Sequence, residues 1–564
     1  MNNSWQAMVL AAGFGKRLYP LTKWMPKPMV PMTRKPLLFH VTENLFRTGI
    51  RDVGVNSHHL HKQIEAFIAQ SEHRDQFTLF HEEVILNTGG ALVNAKKFLK
   101  RKPYFLLHNS DIVTDLDLVE LMKKHQESGA MVTMAFNNKG HQNVVIGKDG
   151  EVKDIRGLKN IEPTSDMRRA TYASISAFSN EFLDYLPDGP SDWMETVIEL
   201  LDSHPGSVRA YYDENFFWSD LGTFEEFLKT QRNLIDRKAV EVAHPARPLI
   251  EQGSNRRYYR LGEEANTLVL MLCEYEDPDF KRFIQTTDFL NSLQLGNPAM
   301  WAWSGHHYAA LLEDLGDDTL YSIMQKEPSS IKVRTLYQKV VQFLVDFHLR
   351  AFEASERCPA ATDRCMDYEH LRWETRYFTK YFLIKRMAYS EDLFSVLDEE
   401  FDMLANEVAS HPQTLIHRDF QSQNIMLKEG EVHIVDYQGM RLGSITYDIM
   451  SLLNDPYVNL DEEMKSGMKK QFIQLINQRP EFTASAETWA KRMTSSGLQR
   501  NMQALGAYAF LSGEKGKTQF EQFMVPGIQI LAEGIHEWNR QNDKQLLNLA
   551  EIVNECIVLC RNNQ

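Results

Sequence analysis

Residues 10–22, LAAGFGKRLYPLT, constrain this chain more than any other segment. An apolar run, Met8 to Ala12, leads into Gly13 and Gly15 and then into Lys16 and Arg17. Glycine tolerates tight backbone turns and lets a loop approach phosphates closely, so a strand can end here in an anion-binding turn. Pro20-Leu21-Thr22 and Pro26-Lys27-Pro28 follow in the same short stretch. An ordinary surface loop would account for a glycine pair, but not for this ordered set. The dinucleotide fingerprint is also excluded, because its third glycine is absent.

The surrounding pattern fits a strand that feeds a sheet. Pro36–Thr48 has helical character, with Pro near its start and Gly49 just past its end. Val53–Val55 reads as a strand, His61–Ala69 as a helix, and Tyr104–Leu107 as a strand ending in polar HNSD. Such alternation predicts an α/β domain, Rossmann-like, with a mixed and mostly parallel sheet. Its ligands should sit at the carboxyl ends of the strands. Near Asp236–Gln252, Pro245 and Pro248 mark a composition change. We therefore expect one domain over 1–238, a linker over 239–252 and a second domain over 253–564. A β-like stretch, Arg257–Leu272, opens the second part, and helical patterns such as Tyr337–His348, Tyr368–Met387 and Leu498–Ser512 fill the rest.

Composition removes several function classes. The 564 residues carry 62 Lys plus Arg against 76 Asp plus Glu, a net charge of −14. That balance argues against a sequence-independent nucleic-acid binder, which needs a basic face, but not against phosphate chemistry assisted by a metal. The five cysteines are scattered without zinc-ligand spacing, which favours a reducing compartment. No basic region precedes the first apolar run, and no run approaches membrane-spanning length. A cytoplasmic location without membrane or nucleic-acid partners is expected.

Residues 10–29 resemble the signature of sugar-phosphate nucleotidyltransferases, G-x-G-x-R-(L/M)-x-P-L-T followed by P-K-P. LNTGGAL (86–92), LLHNSDIVTD (106–115) and FFWSDLGT (216–223) continue the likeness. The resemblance implies that Ala12, Gly13, Gly15 and Lys16 bind the nucleotide and that the Gly89-Gly90 backbone approaches its base. It implies that Asp111 and Asp220 hold Mg²⁺, and that Asn109 and Gly147 contact the sugar phosphate. Arg17 and Lys27 are candidate catalytic cations. The chemistry asks for this set: two negative phosphates must meet, and carboxylate-bound Mg²⁺ with a lysine neutralises their repulsion.

A second set lies at LIHRDFQSQNIML (415–427) and HIVDYQG (433–439). The order H-R-D-x-x-x-x-N, then an aspartate after the next apolar run, resembles the catalytic loop of kinase-like phosphotransferases. The resemblance implies that Asp419 orients the attacking hydroxyl and that Asn424 and Asp436 hold Mg²⁺ against ATP. Asp436-Tyr437-Gln438-Gly439 replaces the protein-kinase D-F-G, as in small-molecule kinases of the aminoglycoside and choline type. The implied fold is a bilobal α+β domain, with a small lobe to about residue 325 and a helical lobe after it. GSNRRYYRL (253–261) stands where a phosphate-covering hairpin belongs. LVLMLCEY (268–275) lacks the usual strand lysine, which leaves Arg256, Arg257 and Lys281 as candidate nucleotide cations.

The two likenesses describe consecutive chemistry. Phrases in both halves are similar to bacterial N-acetylmuramate 1-phosphate uridylyltransferases and to anomeric N-acetylmuramate or N-acetylglucosamine kinases. The implied activity uses ATP and UTP in turn to make a UDP-sugar. A choline kinase joined to a choline-phosphate cytidylyltransferase shares the same domain pair. A non-catalytic sugar-nucleotide sensor would not need to keep Asp111, Asp220, Asp419, Asn424 and Asp436. Asp448 is expected as a helix cap, and Asp461, Glu462 and Glu463 as a helix first turn. His58, His59 and His61 read as a polar loop, Cys556 and Cys560 as a buried helix face, and Trp373–Met387 as core or substrate-lobe wall.

Overall fold

The computed structural model describes residues 4–236, 244–249, 256–263, 266–274, 277–327, 331–458 and 460–562. Most of the expected linker, 239–252, and residues 253–255 of the expected hairpin lie outside these residues. The chain forms two compact units. One comprises residues 1–251, 255–275 and 301–312, and the other 252–254, 276–300 and 313–564.

The first unit is built on a nine-stranded sheet. Its strands are β1 (Trp5–Leu10), β2 (Val53–Ser57), β3 (Phe77–His81), β4 (Tyr104–Asn109), β6 (Val132–Asn137), β7 (Val144–Ile146), β8 (Val152–Ile155), β9 (Arg168–Ser179) and β10 (Val208–Tyr212). A separate short pair joins β5 (Ile112–Thr114) to β11 (Trp218–Asp220). β1 lies between β4 and β2, and β2 beside β3, all parallel. β9 runs antiparallel to β4, β6 and β7, which makes the sheet mixed. Parallel strands need cover on both faces, and β1 is accordingly apolar and buried along nearly its whole length. Helix α1 (Leu37–Arg47) buries Leu37, Leu38, Val41, Leu45 and Phe46, a stripe at helical spacing. Helices α2 (His61–Gln70), α3 (Asn87–Asn94), α4 (Leu118–Ser128), α5 (Trp193–Ser203) and α6 (Phe224–Asp236) are the other long helices of this part. In α4, Asp117 caps the start through the Val119 and Glu120 N–H groups, and Gly129 ends the helix at φ 64°.

The strand expected at Met8–Ala12 ends two residues earlier, at Leu10. The cause is local: the Ala11 N–H leaves the ladder and donates to the Asn56 side-chain oxygen at 2.7 Å. The chain is thereby turned out of the sheet toward the glycine loop.

A five-stranded sheet has the order β12 (Arg247–Pro248), β13 (Arg257–Leu261), β14 (Leu268–Leu272), β16 (Ala309–Glu313), β15 (Met300–Ser304). By sequence this sheet belongs with the second domain. Its inner residues Leu261, Leu268, Leu270, Leu272, Ala309 and Leu311 instead share one apolar core with Leu38, Leu45, Phe227 and Leu228. Burial against α1 and α6 is why most of it groups with the first unit.

The second unit is mainly helical. It contains α7 (Phe280–Leu293), α8 (Ile331–Glu353), α9 (Tyr368–Phe378), α10 (Asp398–Ala409), α11 (Tyr447–Leu453), α12 (Glu462–Ile476), α13 (Ala486–Gly513), α14 (Met524–Gln541) and α15 (Leu547–Asn562). The long helix expected at Tyr368–Met387 is α9 followed by a π-helical stretch, Thr379–Arg386. Asp461 caps α12 by accepting the Met464 N–H at 2.7 Å. Two short antiparallel pairs carry the polar loops: β17 (Gln413–Ile416) with β20 (Arg441–Ser444), and β18 (Ile425–Lys428) with β19 (Glu431–Ile434).

Candidate active sites

The first site forms where β1 and β4 end. Gly15 has φ 62°, and a Cβ there would lie 3.1 Å from Lys27 Cβ and from Thr22 Cγ2. Only glycine combines that left-handed backbone with so close an approach. Thr22 Oγ1 then ties the loop by donating to the Gly15 carbonyl at 2.9 Å. The loop thus brings Lys27 inward, where its Nζ donates to Asp111 Oδ2 at 2.5 Å.

Asp111 and Asp220 are far apart in sequence, and the β5–β11 pair unites them. Asp220 stands opposite Ile112, and the Leu221 N–H donates to the Asp111 carbonyl at 3.0 Å. Burial pushes the Asp220 carboxyl above the ordinary carboxylate range, and the Asp111 charge adds to this; Lys27 and Arg17 offset it in part. Its Oδ1 is buried with no hydrogen-bond partner among the described residues. An orphaned buried carboxylate oxygen beside a second carboxylate is a good fit for a divalent cation, whose charge would relieve both effects.

Two cavities flank this carboxylate pair. One, of about 260 Å³, is lined by Ala12, Gly13, Lys27, Asn109 and Asp111, with Asn56, Glu82 and Thr88. The other, of about 700 Å³, is lined by Arg17, Lys139, Tyr172, Trp218 and Asp220 among others. Of the expected residues, Ala12, Gly13, Lys27, Asn109 and Asp111 thus share the first cavity, Arg17 and Asp220 face the second, and Gly15 and Lys16 line neither. Arg17 lies over Gly222, within 3.0 Å of where a Cβ would stand. Lys16 is exposed, with its ammonium 5.3 Å from the Phe14 ring centre.

Three residues take positions that sequence did not indicate. Gly89 and Gly90, in α3, pack against the 189–193 segment rather than lining either cavity; the Gly89 N–H donates to the Ser191 carbonyl at 2.7 Å. A Cβ on Gly89 would come within 2.9 Å of the Trp193 backbone nitrogen. Gly147 lies in the turn between β7 and β8, where its N–H donates to the Glu151 carbonyl at 2.9 Å. Conversely, Asn56 and Glu82 brace the glycine loop: Asn56 Nδ2 donates to Glu82 Oε1 at 2.7 Å, and Glu82 Oε2 accepts the Leu86 N–H at 3.0 Å. His58 and His59 bond to the Glu82 and Thr22 carbonyls, each at under 3 Å, so these two belong to a polar loop, whereas His61 opens helix α2.

The second site occupies the loop between β17 and β18. Arg418 and Asp436 both have positive φ, 77° and 65°, a conformation that side chains other than glycine adopt at a cost. Asn424 Nδ2 donates to the Asp419 carbonyl at 2.9 Å, and the Val435 N–H donates to the Asn424 carbonyl at 3.0 Å. These bonds draw Asp419, Asn424 and Asp436 to one end of the β18–β19 hairpin. Tyr437 stacks on Phe283 of α7 and shares a 3.0 Å hydrogen bond with Thr287 Oγ1, which anchors the segment after Asp436.

Asp419 is held in a cationic nest. Burial pushes its carboxyl up, but Arg418, Arg500, His417 and Arg441 outweigh this and hold it below the ordinary range. Arg500 Nη2 lies 3.5 Å from Asp419 Oδ1 and donates to Gln421 Oε1 at 3.1 Å. Behind them, buried Glu374 faces Arg418 at 3.9 Å and accepts from Gln499 Nε2 at 3.1 Å.

The cap expected at Asp448 is not one. Thr446 holds the cap position of α11, and Asp448 sits inside the first turn, fully buried. Its carboxylate turns back instead to accept the His417 and Arg418 backbone N–H groups at 2.7 and 2.9 Å, and His348 Nε2 lies at 2.9 Å. Asp455, just past α11, accepts Ser422 N–H and Oγ at 2.8 and 2.6 Å. The two ends of one short helix therefore hold the two ends of the Asp419 loop. The Tyr-Asp pair marked Asp448 in sequence, whereas nothing in the sequence flagged Asp455 or Glu374. Of the candidate nucleotide cations, Arg257 pairs with Asp236 at 2.8 Å, Arg256 is buried at the start of β13, and Lys281 is exposed on α7.

Residues 6–237 match the family model described as Nucleotidyl transferase, and residues 245–478 the one described as Phosphotransferase enzyme family. A UTP–glucose-1-phosphate uridylyltransferase of Synechocystis is 26% identical over 272 residues, spanning 44% of this chain and 69% of that protein. A mannose-1-phosphate guanylyltransferase of Mycobacterium tuberculosis is 28% identical, spanning 44% and 70% respectively. A crystal structure of a putative glucose-1-phosphate thymidylyltransferase from Bacillus anthracis is 17% identical, with a TM-score of 0.36 over 41% of this chain and 96% of that one. Among the described residues no helix is long and apolar enough to cross a membrane.

Proposed function

Starting from a chain that joins a nucleotidyl transferase domain to a phosphotransferase-family domain, and so a nucleotidyltransferase to a kinase, we propose that it makes a UDP-sugar from a free sugar in two steps. The C-terminal domain transfers the γ-phosphoryl group of ATP to the C1 hydroxyl of N-acetylmuramate or N-acetylglucosamine. The N-terminal domain then joins the sugar 1-phosphate to UMP from UTP, releasing pyrophosphate. The observation that carries this reading is the pair of carboxylates with a cavity on each side, Asp111 toward one and Asp220 toward the other. A nucleotide and a sugar phosphate can then meet across one cation.

In the first domain Asp111 and Asp220 would hold Mg²⁺, which when bound neutralises charge between the two phosphates. Gly13, at the wall of the smaller cavity, leaves room for the nucleotide phosphates, and Gly15 provides the turn that brings Lys27 inward. Lys27 sits against Asp111 and offers its charge to the α-phosphate, where negative charge develops during attack. Arg17, over Gly222 at the wall of the larger cavity, orients the incoming sugar phosphate.

In the second domain Asn424 and Asp436 would hold Mg²⁺ against ATP. Asp419 accepts a hydrogen bond from the C1 hydroxyl and aims it at the γ-phosphorus. Its cationic nest keeps it ionised and makes it a weak base. That suits an anomeric hydroxyl, which is more acidic than an ordinary alcohol, and a loose transition state in which positioning dominates.

Paired variants of the full chain test the assignment. Asp419→Asn should abolish ATP-dependent sugar phosphorylation and spare uridylyl transfer to supplied sugar 1-phosphate, and Asp111→Ala should do the reverse. Loss of both activities in either variant would sink the two-site reading.

A further inference from the structure

We infer that Arg418 reads an anionic group on the acceptor sugar, so that the phosphotransferase site takes N-acetylmuramate, whose lactyl ether ends in a carboxylate, in preference to N-acetylglucosamine, which has a hydroxyl there. The inference rests on the reading that Asp419 receives the C1 hydroxyl, and it names the residue that discriminates between the two sugars. Arg418 follows β17 in the same loop as Asp419, and its side chain turns to the same place. Its Nη1 lies 4.0 Å from Asp419 Oδ2, and a Cβ on Gly439 would stand 3.7 Å from both Arg418 Cδ and Asp419 Oδ2. On its other side, Nη2 is 3.9 Å from the buried carboxylate of Glu374. Both separations are too long for hydrogen bonds. No described residue accepts a hydrogen bond from this guanidinium, and its Nε is buried. Asp448 holds the backbone beneath it by accepting the Arg418 N–H at 2.9 Å, so the loop itself fixes where the side chain starts. Yet the pair is not sealed: 19% of the Arg418 side chain and 27% of the Asp419 side chain stay exposed. A desolvated guanidinium with no acceptor is costly, and its planar fork matches a carboxylate.

The surroundings favour an anion. Arg441, behind Arg418, is buried and has no carboxylate at ion-pair distance among the described residues. It donates through Nε to the Gly439 carbonyl at 3.0 Å and through Nη1 to His370 Nε2 at 2.9 Å. Burial, and then the Arg418 charge, hold the Arg441 pKa down to about 10. Positive charge here thus exceeds what the protein pairs, which suits a carboxylate and repels a quaternary ammonium. The placement favours the acceptor rather than ATP. Arg418 and Arg441 face α9 through Glu374 and His370, whereas the expected ATP-side ligands Asn424 and Asp436 lie at the end of the β18–β19 hairpin. His370 stacks on Trp373 with ring centres 5.5 Å apart, and Trp373 is about half exposed. An exposed aromatic beside the cations suits the apolar face of a pyranose ring.

The test uses the full chain and measures ATP-dependent phosphorylation of N-acetylmuramate, its methyl ester and N-acetylglucosamine, with kcat and KM for each sugar and the KM for ATP. The parent should favour N-acetylmuramate over both neutral sugars by roughly 30-fold in kcat/KM. Arg418→Gln should bring both ratios to within about threefold of one, mainly through the KM for N-acetylmuramate, and Arg418→Lys should fall between. Any loss shared by all three sugars reports the neighbouring Asp419; the ratio reports the carboxylate. A parent that treats the acid and its ester alike would overturn the inference, and this comparison decides alone if Arg418→Gln does not fold. An unchanged ratio in Arg418→Gln, with or without a rise in ATP KM, would overturn it too, and a rise would assign the cation to phosphate instead. If the parent phosphorylates none of these sugars, the proposed function fails, and equilibrium binding of N-acetylmuramate against its ester judges this inference separately: equal affinities overturn it.

Discussion

Asp448→Asn is the sharpest perturbation of the second site, because the residue touches no expected ligand yet holds the loop that does. In the folded chain its Oδ2 accepts the His417 N–H and faces His348, and its Oδ1 accepts the Arg418 N–H. An asparagine keeps the size but leaves one acceptor and turns an amide NH₂ toward a backbone donor. One charge-assisted bond is lost and one buried N–H is left unmatched, together about 3 kcal/mol. If that falls on the competent loop arrangement, turnover drops roughly 100-fold, at about 1.4 kcal/mol per tenfold. Arg418 makes the loop especially sensitive, since its positive φ persists only while its surroundings enforce it. The assay follows ATP-dependent sugar phosphorylation and uridylyl transfer on one preparation. Kinase loss of that order with uridylyl transfer intact is expected. Kinase turnover within about threefold of the parent would refute the positioning argument.

Other outcomes follow from the same geometry. Burial holds His108 and His125 at a pKa of about 4, so the unfolded chain protonates first as pH falls from about 6.5. Each then removes up to roughly 3 kcal/mol of stability between those values. The urea midpoint of the N-terminal unit should decline across that window, and less so in a His108→Asn, His125→Gln double variant; an equal decline would contradict the argument. Gly89→Ala, whose Cβ would meet the 189–193 segment, should cost about 1–3 kcal/mol in unfolding and weaken uridylyl transfer while sparing phosphorylation. A fully stable variant would show that the close approach there is unimportant. Chelation should remove both activities and Mg²⁺ should restore them; activity surviving chelation would contradict the assignments of Asp111, Asp220, Asn424 and Asp436.

The two-domain architecture was legible because each half carries its chemistry in a contiguous motif. The glycine loop, Lys27 and Asp111 lie at the ends of strands whose apolar runs announce them. Their contact with Asp220 was not derivable from spacing, since it depends on two three-residue strands pairing across more than 100 residues of chain. Asp448 illustrates a different limit. An acidic residue near a helix start satisfies capping statistics, but burial and the unpaired N–H groups of residues 417 and 418 redirect its side chain. The glycines at 89 and 90 were read as ligand-facing, whereas the backbone of the 189–193 segment approaches them. The small sheet shows a further limit: the unbroken apolar run of β14, Leu268–Leu272, says that the strand is buried, not which domain supplies the partner.

The most direct test incubates the full chain with Mg²⁺, ATP and UTP and with N-acetylmuramate, N-acetylglucosamine or choline in separate reactions, with CTP replacing UTP in a parallel set. Products are identified by mass. The account predicts a UDP-linked N-acetylated sugar that forms only when ATP and UTP are both present, with the sugar 1-phosphate accumulating when UTP is omitted. A CDP-choline product, or no sugar 1-phosphate from ATP, would contradict it.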